Sequence, residues 1–133
     1  MVLVRTPKAW MLSKRRRYNS MICVPQVDPS VLDLPGVIVT DRNAASSWVS
    51  FMTVREGLAA IDRDRLFARS WKHPEDLYEE MSHKSEKMAE VLVPDRAQAR
   101  FVLGAYVAHQ TVLAAFQGLG TGLPVRIRGD MFF

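Results

Sequence analysis

Lys87-Met88-Ala89-Glu90-Val91-Leu92-Val93, closed by Pro94, is the stretch on which the reading of this chain turns. It reads as a β-strand that ends at the proline. Side chains alternate between faces along a strand, so Met88, Glu90 and Leu92 share one face and Ala89, Val91 and Val93 the other. Both faces are apolar enough for an interior strand, and a single carboxylate projects from it. A buried acid needs a partner, a shifted pKa or a chemical task. From the residues alone two readings of Glu90 stay open: a structural pair with one of the many arginines, or a site carboxylate.

Working outward, the elements on either side mix strands and helices. Met21–Val27 predicts a strand, with Pro25 pointing to an edge position or a bulge. Asp28–Asp33 reads as a short turn or helical turn, and Gly36–Thr40 as a second compact strand followed by a loop at Asp41-Arg42-Asn43. Thr53-Val54-Arg55-Glu56 has capping-box spacing, which predicts a helix from Val54 that ends before Ile61. Pro74, Glu75 and Asp76 suit a helical first turn, and that helix is expected to run to about His83. Phe101–Ala108 is extended, a helix spans Gln110–Gln117 and stops at Gly118, and Val125–Arg128 alternates as a half-exposed last strand. No regular βαβ rhythm appears, so the expected class is α+β.

The 133 residues suit one small domain, 1–133, with 48% hydrophobic and 24% charged residues. No apolar run approaches the ~18–20 residues that cross a membrane. No secretory leader is recognisable. Cys23, the single cysteine, excludes an internal disulfide framework and a cysteine-based zinc site, so a reducing, cytoplasmic setting is expected. The formal net charge is +4. Its distribution matters more: Arg5, Lys8, Lys14, Arg15, Arg16 and Arg17 stand in the first seventeen residues without an acid among them. With Trp10 and Tyr18 interleaved, this segment reads either as a solvated basic arm or as a surface for phosphates and unstacked bases.

Most common chemistry finds no support. Gly118, Gly120 and Gly122 follow a helix and lack the lysine and hydroxyl of a phosphate-cradling loop. His73, His83 and His109 have no partner at metal-ligand spacing and read as surface or capping residues, so no metal is expected. Glu86 and Lys87 are adjacent where a nuclease needs an acid and a lysine one residue apart. Ser46 and Ser47 lack the glycine-flanked elbow of a hydrolase nucleophile.

Four segments in chain order carry a family resemblance. Ser85-Glu86-Lys87-Met88-Ala89-Glu90-Val91-Leu92-Val93-Pro94 resembles the Lys-x-Ala-Glu-Leu/Val-Leu-Val signature of DarT-type single-stranded DNA ADP-ribosyltransferases. Ala9-Trp10-Met11-Leu12 resembles a family segment ending in Met-Leu, and Pro35–Ala45 resembles its Thr-Asp-Gly-His/Asn-Ala loop. Val125–Phe133 resembles its aromatic ending. Arg42 and Asn43 stand where many members carry Gly and His.

The resemblance implies an ADP-ribosyltransferase-like split β-sheet with short flanking helices, and an activity that moves ADP-ribose from NAD to a base of single-stranded DNA. It implies a toxin countered by a DarG-type macrodomain antitoxin. Glu90 takes the place of the family's catalytic glutamate; Asp41, Arg42 and Asn43 would lie near the substrate, and Lys14, Arg15, Arg16 and Arg17 near the DNA backbone. Family members draw a histidine, a catalytic arginine and other NAD contacts from a region ahead of the first matched segment. The chain is therefore expected to be an N-terminally truncated member, incomplete in its sheet, with its NAD-binding residues unassigned. The alternative expectation is an inactive remnant that binds nucleic acid or a partner protein through its basic face.

Overall fold

The computed structural model describes residues 22–132. In chain order the strands are β1 (Cys23–Val27), β2 (Ile38–Thr40), β3 (Phe51–Thr53), β4 (Glu90–Leu92), β5 (Val102–Val107) and β6 (Val125–Ile127). The helices are α1 (Val54–Ala60), α2 (Arg63–Phe67), α3 (Leu77–Glu86) and α4 (Gln110–Gln117). The chain divides into two compact units, one from the residues up to Pro29 together with those from Gln98 on, the other Ser30–Ala97. Each contains one three-stranded sheet, as the α+β, split-sheet expectation requires.

In the first unit the strand order is β1-β5-β6, with β1 antiparallel and β6 parallel to β5. Among the described residues β1 has one strand neighbour, β5, which accommodates Pro25, and the pairing slips between Gln26 and Val27 as at a bulge. Val24, Ala105, Val107, Val112 and Phe132 are buried. A β-carbon on Gly104 would lie 2.6 Å from the Pro124 carbonyl oxygen, so only glycine lets β5 pass the approach to β6 this closely. Helix α4 follows the sequence reading, with Gly118 as its C-cap.

The second unit is built on the order β3-β2-β4, all antiparallel. Thr53 and Glu56 complete both halves of the capping box: Thr53 Oγ1 accepts from Glu56 N at 3.3 Å, and Glu56 Oε2 accepts from Thr53 N at 3.0 Å. Helix α1 then packs its Gly57 against Val39, which is fully buried in the middle of β2. An added β-carbon at Gly57 would stand 2.5 Å from Val39 Cβ, an atom whose position the backbone fixes. Alanine adds about 1 kcal/mol of helix propensity, but overpacking a fixed contact costs about 1–3 kcal/mol. Gly57→Ala is expected to lower stability in a urea titration, against the propensity trend.

Three boundaries differ from the sequence reading. Helix α3 starts at Leu77, because the Asp76 side chain accepts from Glu79 N and so caps it, leaving Pro74 and Glu75 in the preceding turn. It runs past His83 to Glu86, held there by Arg65 from α2: Arg65 Nε donates to Glu86 Oε2 at 2.5 Å and Nη1 to Glu79 Oε1 at 2.5 Å. These two carboxylates raise the Arg65 pKa. Strand β4 begins at Glu90, not Lys87, since the amides of Lys87, Met88 and Ala89 bond back to His83, Ser85 and Glu86 carbonyls. All three β4 residues are half-buried, and among the described residues β4 has one strand neighbour, β2, so the interior-strand expectation is not met there.

His83 also differs from expectation, whereas His109 is exposed and capping as expected. His83 is buried; its Nε2 lies 2.8 Å from the Arg65 carbonyl oxygen and its Nδ1 2.8 Å from His73 Nε2. Lys87 Nζ donates to the Leu66 and Ala68 carbonyls, and burial lowers its pKa. These contacts fix α2 against the end of α3, and hence the point where β4 starts. His109 occupies the N-cap of α4 without a side-chain cap bond. No helix among the described residues is long and apolar enough to cross a membrane.

Candidate functional site

The β2–β4 ladder sets Thr40 directly opposite Glu90. Thr40 is fully buried, and its hydroxyl both donates and accepts. It donates to the Arg42 carbonyl at 2.7 Å and accepts from Glu90 N at 3.1 Å. One side chain thereby ties the first residue of β4 to the turn that leaves β2.

The Glu90 side chain makes the complementary tie. Its Oε2 accepts from Ala44 N at 2.9 Å, a charge-assisted bond across the base of the loop 41–50. This bond orients the carboxylate toward the loop. The rest of the loop closes on itself. Asn43 Oδ1 accepts from Ala45 N at 2.8 Å, and the Asn43 carbonyl from Ser46 N at 2.9 Å. Ser46 Oγ accepts from Trp48 N at 3.3 Å, and Asp41 Oδ1 accepts from Ser50 N at 2.9 Å. The sequence fits this geometry because Asn43 and Ser46 satisfy backbone amides two residues on, and Asp41 reaches across to the Ser50 amide, without a regular ladder.

Asp41 also pairs with its neighbour: Arg42 Nε and Nη2 donate to Asp41 Oδ2 at 3.1 and 2.9 Å. Burial pushes the Asp41 pKa up, but the bonds from Arg42 and from the Ser50 amide outweigh it and hold the carboxyl below its ordinary 3.8. A carboxyl depressed on folding contributes stability that is present above the ordinary value and lost as pH falls through the folded one. Amide exchange at Ser50 is therefore expected to accelerate, relative to the intrinsic rate, as pH is lowered below about 3.8. Asp41→Asn should flatten that part of the profile. An unchanged profile in the variant would remove Asp41 as the loop's acid-sensitive tie.

Of the site residues expected from sequence, Asp41, Arg42, Asn43 and Glu90 are gathered into this one loop-and-strand unit. Lys14, Arg15, Arg16 and Arg17, like the Ala9–Leu12 segment, lie outside the described residues. Sequence reasoning missed the amides of Ala44 and Ser50, which carry the two carboxylate contacts and have no signature in residue type. It also passed over Trp48, 82% exposed in the same loop, whose signal was a large aromatic in an otherwise polar Ser46-Ser47-Trp48 run. Among the described residues no group of three or more His, Cys, Asp or Glu is placed to hold a metal ion.

Comparison with known proteins bears on this geometry. No match was found among curated proteins. Solved structures do share the fold. Thermosipho africanus DarTG in complex with ADP-ribose matches with a TM-score of 0.73 at 19% identity, over 97% of this chain and 34% of that one. Thermus sp. 2.9 DarT in complex with NAD+ matches with a TM-score of 0.70 at 21% identity, over 97% of this chain and 68% of that one. The same Thermus protein in complex with ADP-ribosylated ssDNA gives 0.72 at 21% identity, over 97% and 65%. This chain thus spans about a third of the first of these proteins and about two thirds of the second. At these identities the likeness is one of fold. The family model described as ssDNA thymidine ADP-ribosyltransferase, DarT, matches residues 3–133, and the chain belongs to that family.

Proposed function

We propose that this chain is an NAD-dependent pentosyltransferase that places ADP-ribose on a thymidine base of single-stranded DNA, with Glu90 as its catalytic carboxylate. The observation that carries the reading is the hydrogen bond from Ala44 N to Glu90 Oε2, in a chain of this family. It holds an acid at the head of a strand and ties it to the loop that presents Asp41, Arg42 and Asn43. The base named in the family's description supplies the choice of thymidine.

The chemistry suits such an acid. The bond between the nicotinamide nitrogen and ribose C1 breaks with its electron pair leaving on nicotinamide, and the ribose becomes oxocarbenium-like. A ring nitrogen of the base forms the new bond to C1 and gives up its proton. A fixed carboxylate stabilises the developing cation and holds the ribose hydroxyls, or receives the departing proton. Asp41, Arg42 and Asn43 shape the substrate side of the loop, and Lys14, Arg15, Arg16 and Arg17 hold phosphates, which position the strand without reading its sequence. NAD is consumed as a co-substrate, and the scheme calls for no metal. A reaction that uses NAD and DNA belongs in the cytoplasm. A DarG-type macrodomain antitoxin is the expected partner, in keeping with the DarTG name of the Thermosipho relative.

Incubation with labelled NAD and oligonucleotides tests the reading. Label should enter single-stranded DNA that contains thymidine, and duplex of the same sequence or thymidine-free strands should remain unlabelled. Equal labelling of single strands and duplex would count against it. Raising salt should weaken oligonucleotide binding steeply if the basic segment meets phosphates.

A further inference from the structure

We propose that Trp48 is a base-stacking platform for single-stranded DNA, taking a nucleotide that flanks the modified one. Isolated exposed aromatics are common on protein surfaces, and three observations set this one apart. First, the indole is presented by a turn that is already made. Trp48 N donates to Ser46 Oγ at 3.3 Å, Val49 N to the Ser46 carbonyl at 3.4 Å, and Ser50 N to Asp41 Oδ1 at 2.9 Å. A backbone pinned before and after the residue leaves little ordering to be done on binding. Second, the same loop holds the Glu90 carboxylate through Ala44 N. Ala44 and Trp48 are four residues apart, so their Cα atoms are separated by no more than ~14 Å even if fully extended. A base resting on the indole is therefore within short reach of the carboxylate-bearing end of the loop.

Third, the surrounding stretch is compatible with a nucleic-acid strand and gives the indole no apolar shelter. Arg42 to Ser50 contains no acidic side chain of its own, and of the two carboxylates that touch the loop, Asp41 is paired with Arg42 and the Ser50 amide and Glu90 accepts from the Ala44 amide. Trp48 remains 82% exposed, and Phe51, which opens β3, is 57% exposed. Two solvent-facing rings within one short segment provide flat surfaces on which bases of any identity stack. In this arrangement Trp48 sets how firmly the strand is held, not which chemistry follows.

The inference rests on the reading of the chain as a single-stranded DNA transferase, and the test separates the two. The full-length chain is labelled with 5-fluorotryptophan, and the Trp48 resonance is identified as the one missing from Trp48→Phe. Adding a thymidine-containing single-stranded oligonucleotide should shift that resonance. In parallel, Trp48→Ala should raise the KM for oligonucleotide about tenfold or more, with the KM for NAD unchanged and Trp48→Phe close to the parent. A Trp48 resonance that stays put while the oligonucleotide is being modified overturns the proposal and leaves the transferase reading standing. A shift without any transfer of ADP-ribose supports Trp48 as a DNA contact and overturns the transferase reading instead. Neither shift nor transfer overturns both.

Discussion

Glu90→Gln is expected to reduce ADP-ribose transfer by about 10²–10³-fold, the loss typical of removing one preorganised electrostatic contact to a charged transition state. The substitution keeps the shape of the side chain and an oxygen able to accept from Ala44 N, the contact seen at 2.9 Å. What it removes is the negative charge. The melting temperature should change little, and the Ala44 amide should stay protected from exchange, because the loop retains its tie. Glu90→Ala removes the tie as well, so it should lose the same activity and also loosen the loop. Wild-type transfer rates in Glu90→Gln would dismiss the carboxylate from the mechanism, whatever its position in the fold.

Thr40→Val should cost more in stability than any other single methyl-for-hydroxyl exchange in the site. The two side chains have nearly the same shape, so the fully buried pocket around Thr40 remains filled. The hydroxyl, however, serves the Arg42 carbonyl at 2.7 Å and Glu90 N at 3.1 Å, and both lose a partner at once. Leaving buried polar groups unsatisfied costs about 1–3 kcal/mol each; both partners are part-buried, which favours the lower part of the range, so a loss of about 2–4 kcal/mol is expected. For a domain of this size that corresponds to a drop in Tm of very roughly 5–15 °C. Activity should fall together with stability, since the same hydroxyl positions Glu90 and the start of the loop. Thr40→Ser keeps the hydroxyl and should recover most of both. Equal damage from Ser and Val would mean that packing of the methyl group, not the hydrogen bonds, holds the site together.

Much of the fold could be read from local chemistry. The capping box at Thr53 and Glu56 placed α1, and the glycine at 118 placed the end of α4, because caps and terminators act within one turn of chain. Pro25 and its neighbours marked a strand with an irregular pairing, seen as the slip between Gln26 and Val27. Elements decided by distant residues were not legible. Helix α3 outruns its expected end because Arg65, from α2, grips Glu79 and Glu86, and that overrun takes Lys87, Met88 and Ala89 away from β4. Strand β3 is too short to show a period, and α2 is a five-residue helix defined mainly by the Asp62 cap. At the site, residue type pointed to Glu90 and to the Asp41–Asn43 loop. It could not show that a backbone amide joins them, since every residue but proline carries one.

The central claim is that this chain joins ADP-ribose from NAD to single-stranded DNA, and intact-mass analysis of the oligonucleotide tests it most directly. After incubation with NAD, a thymidine-containing single strand should gain the mass of one ADP-ribosyl group, with nicotinamide released in equal amount and with the added group on thymidine. Release of nicotinamide without any gain in DNA mass would contradict the claim, as would a gain that appears equally on duplex or persists undiminished in Glu90→Gln.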